Sequence, residues 1–204
     1  DGSVAASGIG CHVMSGWMGR SEIGFAQMGA EGVPVAVGQR WNGSKHVFQN
    51  LGDGTWYHSG SLAIRQAVAA GANITYKILY NDAVAMTGGQ SVDGPVSVAG
   101  IAHSCRAEGI DRIALVSDAP GKFDLRDLPP GTTLHPRADL DAVQRELRDI
   151  PGVTILIYEQ TCATEKRRRR KRGRMEDPAR FAMINNLVCE GCGDCSVESN
   201  CLSV

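Results

Sequence analysis

Gly52-Asp53-Gly54, followed after twenty-six intervening residues by Asn81-Asp82-Ala83, is the part of the chain whose setting decides the fold. Val47-Phe48-Gln49-Asn50-Leu51 runs into the first triplet and Ile74-Thr75-Tyr76-Lys77-Ile78-Leu79-Tyr80 into the second, and both runs have the length and composition of strands. Between them, His58 to Ala70 carries Leu62, Ala63, Ala67 and Val68 at helical spacing and stops at Gly71, a C-cap residue. Strand, helix and strand in this order make a β-α-β unit. Its right-handed crossover makes the strands parallel and puts both triplets at carboxyl ends, where open α/β sheets bind their ligands.

The residue types at those ends have a chemistry in common. Asp53 offers a hard carboxylate oxygen, Asn81 an amide oxygen, and a turn at Ala83 a backbone carbonyl. Mg²⁺ takes such ligands octahedrally and keeps phosphate oxygens in its other positions, so the two loops carry the parts for holding a magnesium diphosphate. Gly52 and Gly54 are expected to supply unusual backbone dihedrals and a close approach to the ligand. Gly-Asp-Gly alone is more often an ordinary turn, and it is the asparagine loop after a second strand that shifts the reading to a site.

The alternation continues downstream. Val96 to Glu108 reads as a helix ended by Gly109, Arg112 to Ser117 as a strand, Arg137 to Asp149 as a helix with Leu140, Val143 and Leu147 inward, and Val153 to Tyr158 as a strand. Ala119 to Pro136, with four of the eight prolines, reads as loop. The expected class is therefore α/β, a parallel sheet covered by helices. With 204 residues and 43% hydrophobic content the chain can bury one full core. No apolar run approaches the roughly 20 residues of a membrane span and no signal peptide is visible, so a cytoplasmic location without a membrane partner is expected. Seven cysteines in that setting argue for metal or cluster ligation over disulfides.

Two features lie past the alternating region. Lys166 to Arg174 holds eight positive charges in nine residues, which reads as a solvated linker or as a docking segment for another domain or an acidic electron-transfer partner. A nucleic-acid contact is the competing reading, and it is disfavoured because the rest of the chain is strongly acidic. Cys189, Cys192 and Cys195, at successive two-residue gaps, can wrap three thiolates around one [4Fe–4S] cubane, with Cys201 at its fourth corner. Zinc is the alternative, although its sites more often use separated Cys-x-x-Cys pairs. Cys105 reads as a buried, inert thiol.

The diphosphate loops resemble those of the thiamine-diphosphate enzymes. More narrowly, Lys45 to Gly54, Leu79 to Gln90 and Cys189-Glu190-Gly191-Cys192-Gly193-Asp194-Cys195 resemble indolepyruvate ferredoxin oxidoreductases of the 2-oxoacid:ferredoxin oxidoreductase family, nearly end to end. The resemblance implies a thiamine-diphosphate-binding domain over 1–164, a basic linker over 165–176 and an iron-sulfur segment over 177–204. It implies oxidative decarboxylation of a 2-oxoacid, indolepyruvate or a pyruvate or branched-chain relative, with the acyl group passing to coenzyme A and electrons to ferredoxin. Thiamine diphosphate, Mg²⁺ and a [4Fe–4S] cluster are the implied cofactors.

Residue by residue, Asn81 carries over as the magnesium ligand, while Tyr80 stands where many members have a first Asn. Met86 and Thr87, in Met86-Thr87-Gly88-Gly89-Gln90, are expected to line the reacting end, and His12 to donate to the diphosphate. His46 and His58 flank Gly-Asp-Gly and are candidates for the same role or for proton transfer. Cys11 and Cys162 match cysteines that hold a second cluster in relatives, but the upstream Cys-x-x-Cys is absent, leaving half a site. The chain is expected to be a fragment, with the carboxylate that activates the aminopyrimidine on a missing domain or subunit and the complete enzyme a homo-oligomer. Glu31, in Met28-Gly29-Ala30-Glu31-Gly32, is therefore assigned no catalytic role.

Overall fold

The computed structural model describes residues 4–18, 22–92, 94, 97–180 and 183–194. Seven strands form one sheet: β1 (Val4–Ser7), β2 (Glu22–Phe25), β3 (Val47–Gly52), β4 (Ile74–Tyr80), β5 (Ile113–Ser117), β6 (Thr133–Pro136) and β7 (Val153–Glu159). Their order is β2-β1-β3-β4-β7-β5-β6, with every neighbouring pair parallel. Helices α1 (Val33–Asn42), α3 (Ser61–Ala70), α4 (Val98–Ala107) and α5 (Leu140–Arg148) make the crossovers. A short turn, α2 (Asp53–Thr55), and a π-helical turn at Trp56–Gly60 precede α3.

Burial on both faces explains the near-continuous apolar strands. Along β5, Ile113 and Leu115 join Leu51, Ile64, Tyr76, Ile78 and Ile101 in a core shared with α1, α3 and α4. Ala114 and Val116, one step out of phase, meet Leu156 and the inward Val143 and Leu147 of α5 on the opposite face. Each fully buried Leu or Ile contributes roughly 1.5–3 kcal/mol. Exposed ion pairs such as Arg145–Asp141 contribute far less, so the two apolar layers hold the sheet together. Gly71 ends α3 in the left-handed conformation at φ 63°, and Ser97 caps α4 by accepting from Gly100 N at 3.0 Å.

The expected β-α-β unit and the later alternation are present, with differences at weak signals. The stretch expected to be loop, Ala119 to Pro136, ends in β6, a four-residue edge strand on β5. Pro136 is tolerated there because it sits at the strand's last position. The basic run is helical as far as Lys171, within α6 (Ala163–Lys171). The chain divides into two compact units, Asp1–Glu165 and Lys166–Val204. In the second, Asn185 Oδ1 accepts from Leu187 N at 3.0 Å and Asn185 O from Cys189 N at 3.0 Å, making a turn that ends at the first cysteine. Among the described residues no helix is long and apolar enough to cross a membrane.

His46 lies at the start of β3, on the amino edge of the sheet. The six residues of β3 put it roughly 20 Å from Asp53, so it does not flank the diphosphate loop in space as its sequence position suggested. Its Nε2 is 2.8 Å from Thr75 Oγ1 and its ring meets Phe48 edge-on at 4.7 Å. Burial, then the nearby Arg148, lowers its pKa from 6.5 to about 4. The unfolded chain therefore takes up this proton first, so the stability is present above about pH 6.5 and is lost as pH falls towards 4. His46→Gln should make the pH dependence of unfolding shallower in this window, by up to about one proton. Urea titrations at a series of pH values measure it, and an unchanged slope would refute the buried neutral histidine.

Candidate diphosphate site

The chain leaves β1 for β2 on one side and returns through α1 to β3 on the other. The carboxyl ends of β1 and β3 therefore flank the switch point of the sheet, where a crevice opens. Three loops converge on this edge: Gly8 to Cys11 after β1, Asp53 to Thr55 after β3, and Asn81 to Gln90 after β4.

Asp53 joins the last two. The residue is 3% exposed; its Oδ1 accepts from Gly54 N at 2.8 Å, and Oδ2 from Asn81 N at 2.9 Å and Asp82 N at 3.0 Å. Burial raises its pKa, while these backbone donors pull in the opposite direction. Asp82 is the one non-glycine with positive φ, 57°, among the described residues. Asx residues adopt this conformation more readily than most, and here it accompanies two successive N–H groups on one oxygen.

Asn81 Oδ1 is buried and has no hydrogen-bond partner among the described residues. A native buried acceptor of this kind calls for a ligand, ion or water. Asn81 is tied to the Asp53 carboxylate through its backbone N–H, and an amide oxygen and a carboxylate are hard oxygen donors of the kind that Mg²⁺ takes. Ala83, the third expected ligand, is buried at 4% exposure in the same loop. Gly52 does not need special dihedrals: it is extended at φ −73°, ψ 154°. A Cβ there would meet nothing within 4 Å, so the open approach to the loop, and not backbone freedom, is what the position provides. Gly54 likewise has no positive φ, and a Cβ on it would only touch Val84 Cγ2 at 3.8 Å.

The loop beyond is closed on itself, with Val84 N donating to Gln90 O at 2.8 Å and Gly89 N to Val84 O at 3.0 Å. Met86 at its tip is 51% exposed, and Thr87 Oγ1 donates to Gln90 Oε1 at 2.9 Å. His12 follows β1 at this edge. Its Nε2 is buried without a partner among the described residues, and burial, then the charge of Lys77, lowers its pKa to about 4. It is a neutral imidazole at physiological pH. His58 is exposed, with Nδ1 2.7 Å from Ser59 Oγ.

Thr55 and Glu31 have structural parts at this edge that the sequence did not announce. Thr55 Oγ1 donates to Ile9 O at 3.3 Å, linking the β1 loop to the turn after Asp53. Glu31 is fully buried beside Gly8. No motif marks Thr55, and the signal for Glu31 was only a carboxylate between two glycines. A separate cavity of about 270 Å³ lies at the carboxyl ends of β4, β5 and β7, lined by Tyr80, Val98, Lys122, Phe123 and Glu159.

The cysteines are distributed differently. Cys11 and Cys162 follow β1 and β7, with β3 and β4 between these strands, so three strand spacings, about 14 Å, separate the strand ends. Cys189 and Cys192 are exposed, and the expected ligands Cys195 and Cys201 lie outside the described residues. Among the described residues no group of three or more His, Cys, Asp or Glu is gathered for a metal. Cys105 is 2% exposed in α4, and burial pushes its thiol up to about 12, as an inert core cysteine requires.

Comparison with known proteins agrees with this geometry. The chain is 25% identical over 165 residues to indolepyruvate oxidoreductase subunit IorA of Thermococcus kodakarensis, and 23% identical over 167 residues to that of Pyrococcus horikoshii. Each alignment covers 78% of this chain, which spans 23% of the relative's length. Among solved structures, the 2-oxoglutarate:ferredoxin oxidoreductase of Magnetococcus marinus, with 2-oxoglutarate, coenzyme A and succinyl-CoA bound, superposes with a TM-score of 0.62. The superposition covers 80% of this chain and 55% of that one at 17% identity, a likeness of fold. The family model for the thiamine pyrophosphate enzyme C-terminal TPP-binding domain matches residues 8–118, a span that holds all three loops. The chain belongs to this thiamine pyrophosphate enzyme family.

Proposed function

We propose that this chain is the diphosphate-binding part of a 2-oxoacid ferredoxin oxidoreductase, holding thiamine diphosphate through Mg²⁺ at the carboxyl edge of its sheet. The observation that carries the reading is the buried, unpartnered Asn81 Oδ1 on a residue whose backbone N–H anchors the Asp53 carboxylate. Asp53, Asn81 and the carbonyl of Ala83 are the protein ligands of the ion, and Gly52 and Gly54 leave the approach open. When bound, thiamine diphosphate supplies the electron sink for decarboxylation of a 2-oxoacid.

The protein's own contribution is positioning and charge. Asp53 provides the negative charge at the ion, and its three backbone donors oppose the upward pull of burial on its pKa. His12, neutral and buried, offers one ring nitrogen to the diphosphate without adding charge. Met86 and Thr87 border the reacting end on a loop whose shape is fixed by its own hydrogen bonds, so little ordering cost attends binding.

Indolepyruvate is the substrate favoured by the two IorA relatives, and 2-oxoglutarate is the alternative suggested by the Magnetococcus structure. Coenzyme A as acyl acceptor, ferredoxin as electron acceptor, other domains or subunits and a homo-oligomeric assembly complete the reading. So does a cytoplasmic setting, in which thiols stay reduced. Cys189, Cys192, Cys195 and Cys201 are assigned to a [4Fe–4S] cluster on the spacing of the first three. Cys11 and Cys162 then contribute to a second cluster only with ligands from elsewhere in the enzyme.

Removing the charged ligand tests the site. Asp53→Ala in the assembled enzyme should weaken Mg²⁺-dependent binding of thiamine diphosphate at least about a hundredfold, because Mg²⁺ sites of this type have few protein ligands. Titration calorimetry measures it, and wild-type affinity in the variant would sink the assignment. The cysteine assignment makes an optical claim. Protein purified under strict anaerobiosis should be brown, with iron and sulfide equal at about four per cubane, and should bleach on reduction. Cys192→Ser should lose this colour and keep the affinity for thiamine diphosphate, whereas a colourless protein with stoichiometric zinc would refute the redox role.

A further inference from the structure

Glu31 is a fully buried carboxyl to which the proposed function gives no part. It sits between β2 and α1, on the carboxyl edge, and its two oxygens serve two loops. Oε2 accepts from Gly29 N at 2.7 Å, in its own turn, and Oε1 accepts from Ile9 N at 3.3 Å, in the loop after β1. The contact with that loop is close. A Cβ on Gly8 would stand 2.8 Å from Glu31 Cγ, 2.6 Å from Asn50 O and 3.0 Å from His12 Nε2, so only glycine lets the loop lie against this side chain.

The anchor is held from below and extended above. Tyr76 in the middle of β4 donates its hydroxyl to Glu31 O at 3.1 Å, and burial pushes that phenol well above its usual pKa, so it stays a donor. Ile9, whose N–H goes to Glu31, gives its carbonyl to Thr55 Oγ1 at 3.3 Å, two residues beyond Asp53. Backbone and side-chain bonds thus run from β4 through Glu31 and the β1 loop to the Asp53 turn. Such a role needs two acceptors at fixed separation, which a carboxyl has. An apolar residue would fill the space and leave Ile9 N and Gly29 N without these partners.

We infer that Glu31 is a positioning residue for the diphosphate: it sets the backbone of Gly8 to Gly10, and the His12 ring packed on it, at the crevice between β1 and β3. This rests on the proposed function, since it concerns the same ligand. Glu31→Gln keeps the shape but offers one acceptor oxygen and turns an amide N–H₂ toward a backbone N–H. With Mg²⁺ present, the full-length enzyme carrying it should bind thiamine diphosphate and inorganic diphosphate more weakly by the same factor, roughly tenfold or more. Gly8→Ala should do likewise, and the double variant should lose little beyond either single one, since both displace one loop.

Calorimetry beside thermal melts separates the outcomes. Wild-type affinity for both ligands in Glu31→Gln, with or without a lowered melting temperature, overturns the positioning role and leaves the functional reading intact. A loss for thiamine diphosphate with none for inorganic diphosphate also overturns it, because the loop would then act on another part of the ligand. No binding by the unaltered enzyme overturns the functional reading and this inference with it. If Glu31→Gln does not fold, Glu31→Asp takes its place, since it keeps both oxygens one methylene short and should weaken both ligands together; unchanged affinity there is refuting.

Discussion

A carboxyl taken out of water costs several kcal/mol unless donors replace the lost hydration, and the arrangement at the carboxyl edge follows from how Asp53 meets that demand. It is met by main chain from two different turns: Gly54 in its own, Asn81 and Asp82 in the next. The β3 and β4 turns are thereby fixed to each other independently of any ligand. The bond to Asn81 N also determines where the Asn81 side chain begins, and hence where its unsatisfied oxygen lies. Asp82 accepts a left-handed backbone as part of the same arrangement. Preorganisation here means that the strain and desolvation are met on folding and not on binding.

How much of this could be read from the chain depended on whether a residue's surroundings were local. The β3-α3-β4 unit was legible because β-branched runs and a helical apolar stripe are properties of the segment itself, and Ile74–Tyr80 is a strand over the span expected. β2 and β6 were not. Each is four residues long at an edge of the sheet, the first containing Gly24 and the second ending in Pro136, and each depends on a neighbour, β1 or β5, for its hydrogen bonds. The α1 segment, with Pro34 at its start and Gly38 within, has little helical signature of its own.

The site divides the same way. Asp53 and Asn81 were legible as residue types after strands, yet nothing in the sequence says that the aspartate is held by backbone donors. His46 misled because closeness along the chain to Gly-Asp-Gly says nothing about which end of the strand a residue occupies. Glu31 meets Ile9, twenty-two positions away, through a contact no local pattern encodes. The cysteine spacing was plain in the sequence, but a cluster is a statement about three dimensions, and Cys195 and Cys201 lie outside the described residues.

The place of β7 has a consequence for how the chain comes to be folded. It is the last of the seven described strands in chain order, yet it lies between β4 and β5, pairing with both along most of their length. Until residue 159 has emerged, the sheet exists as two pieces, β2-β1-β3-β4 and β5-β6, each with an unpaired edge of apolar residues facing the gap. Open edges of this kind are templates for pairing with other chains, and the contacts that close β7 onto β4 span some eighty residues, which makes them slow to form. The nascent chain therefore passes through a stage when self-association at these open edges competes with insertion of β7.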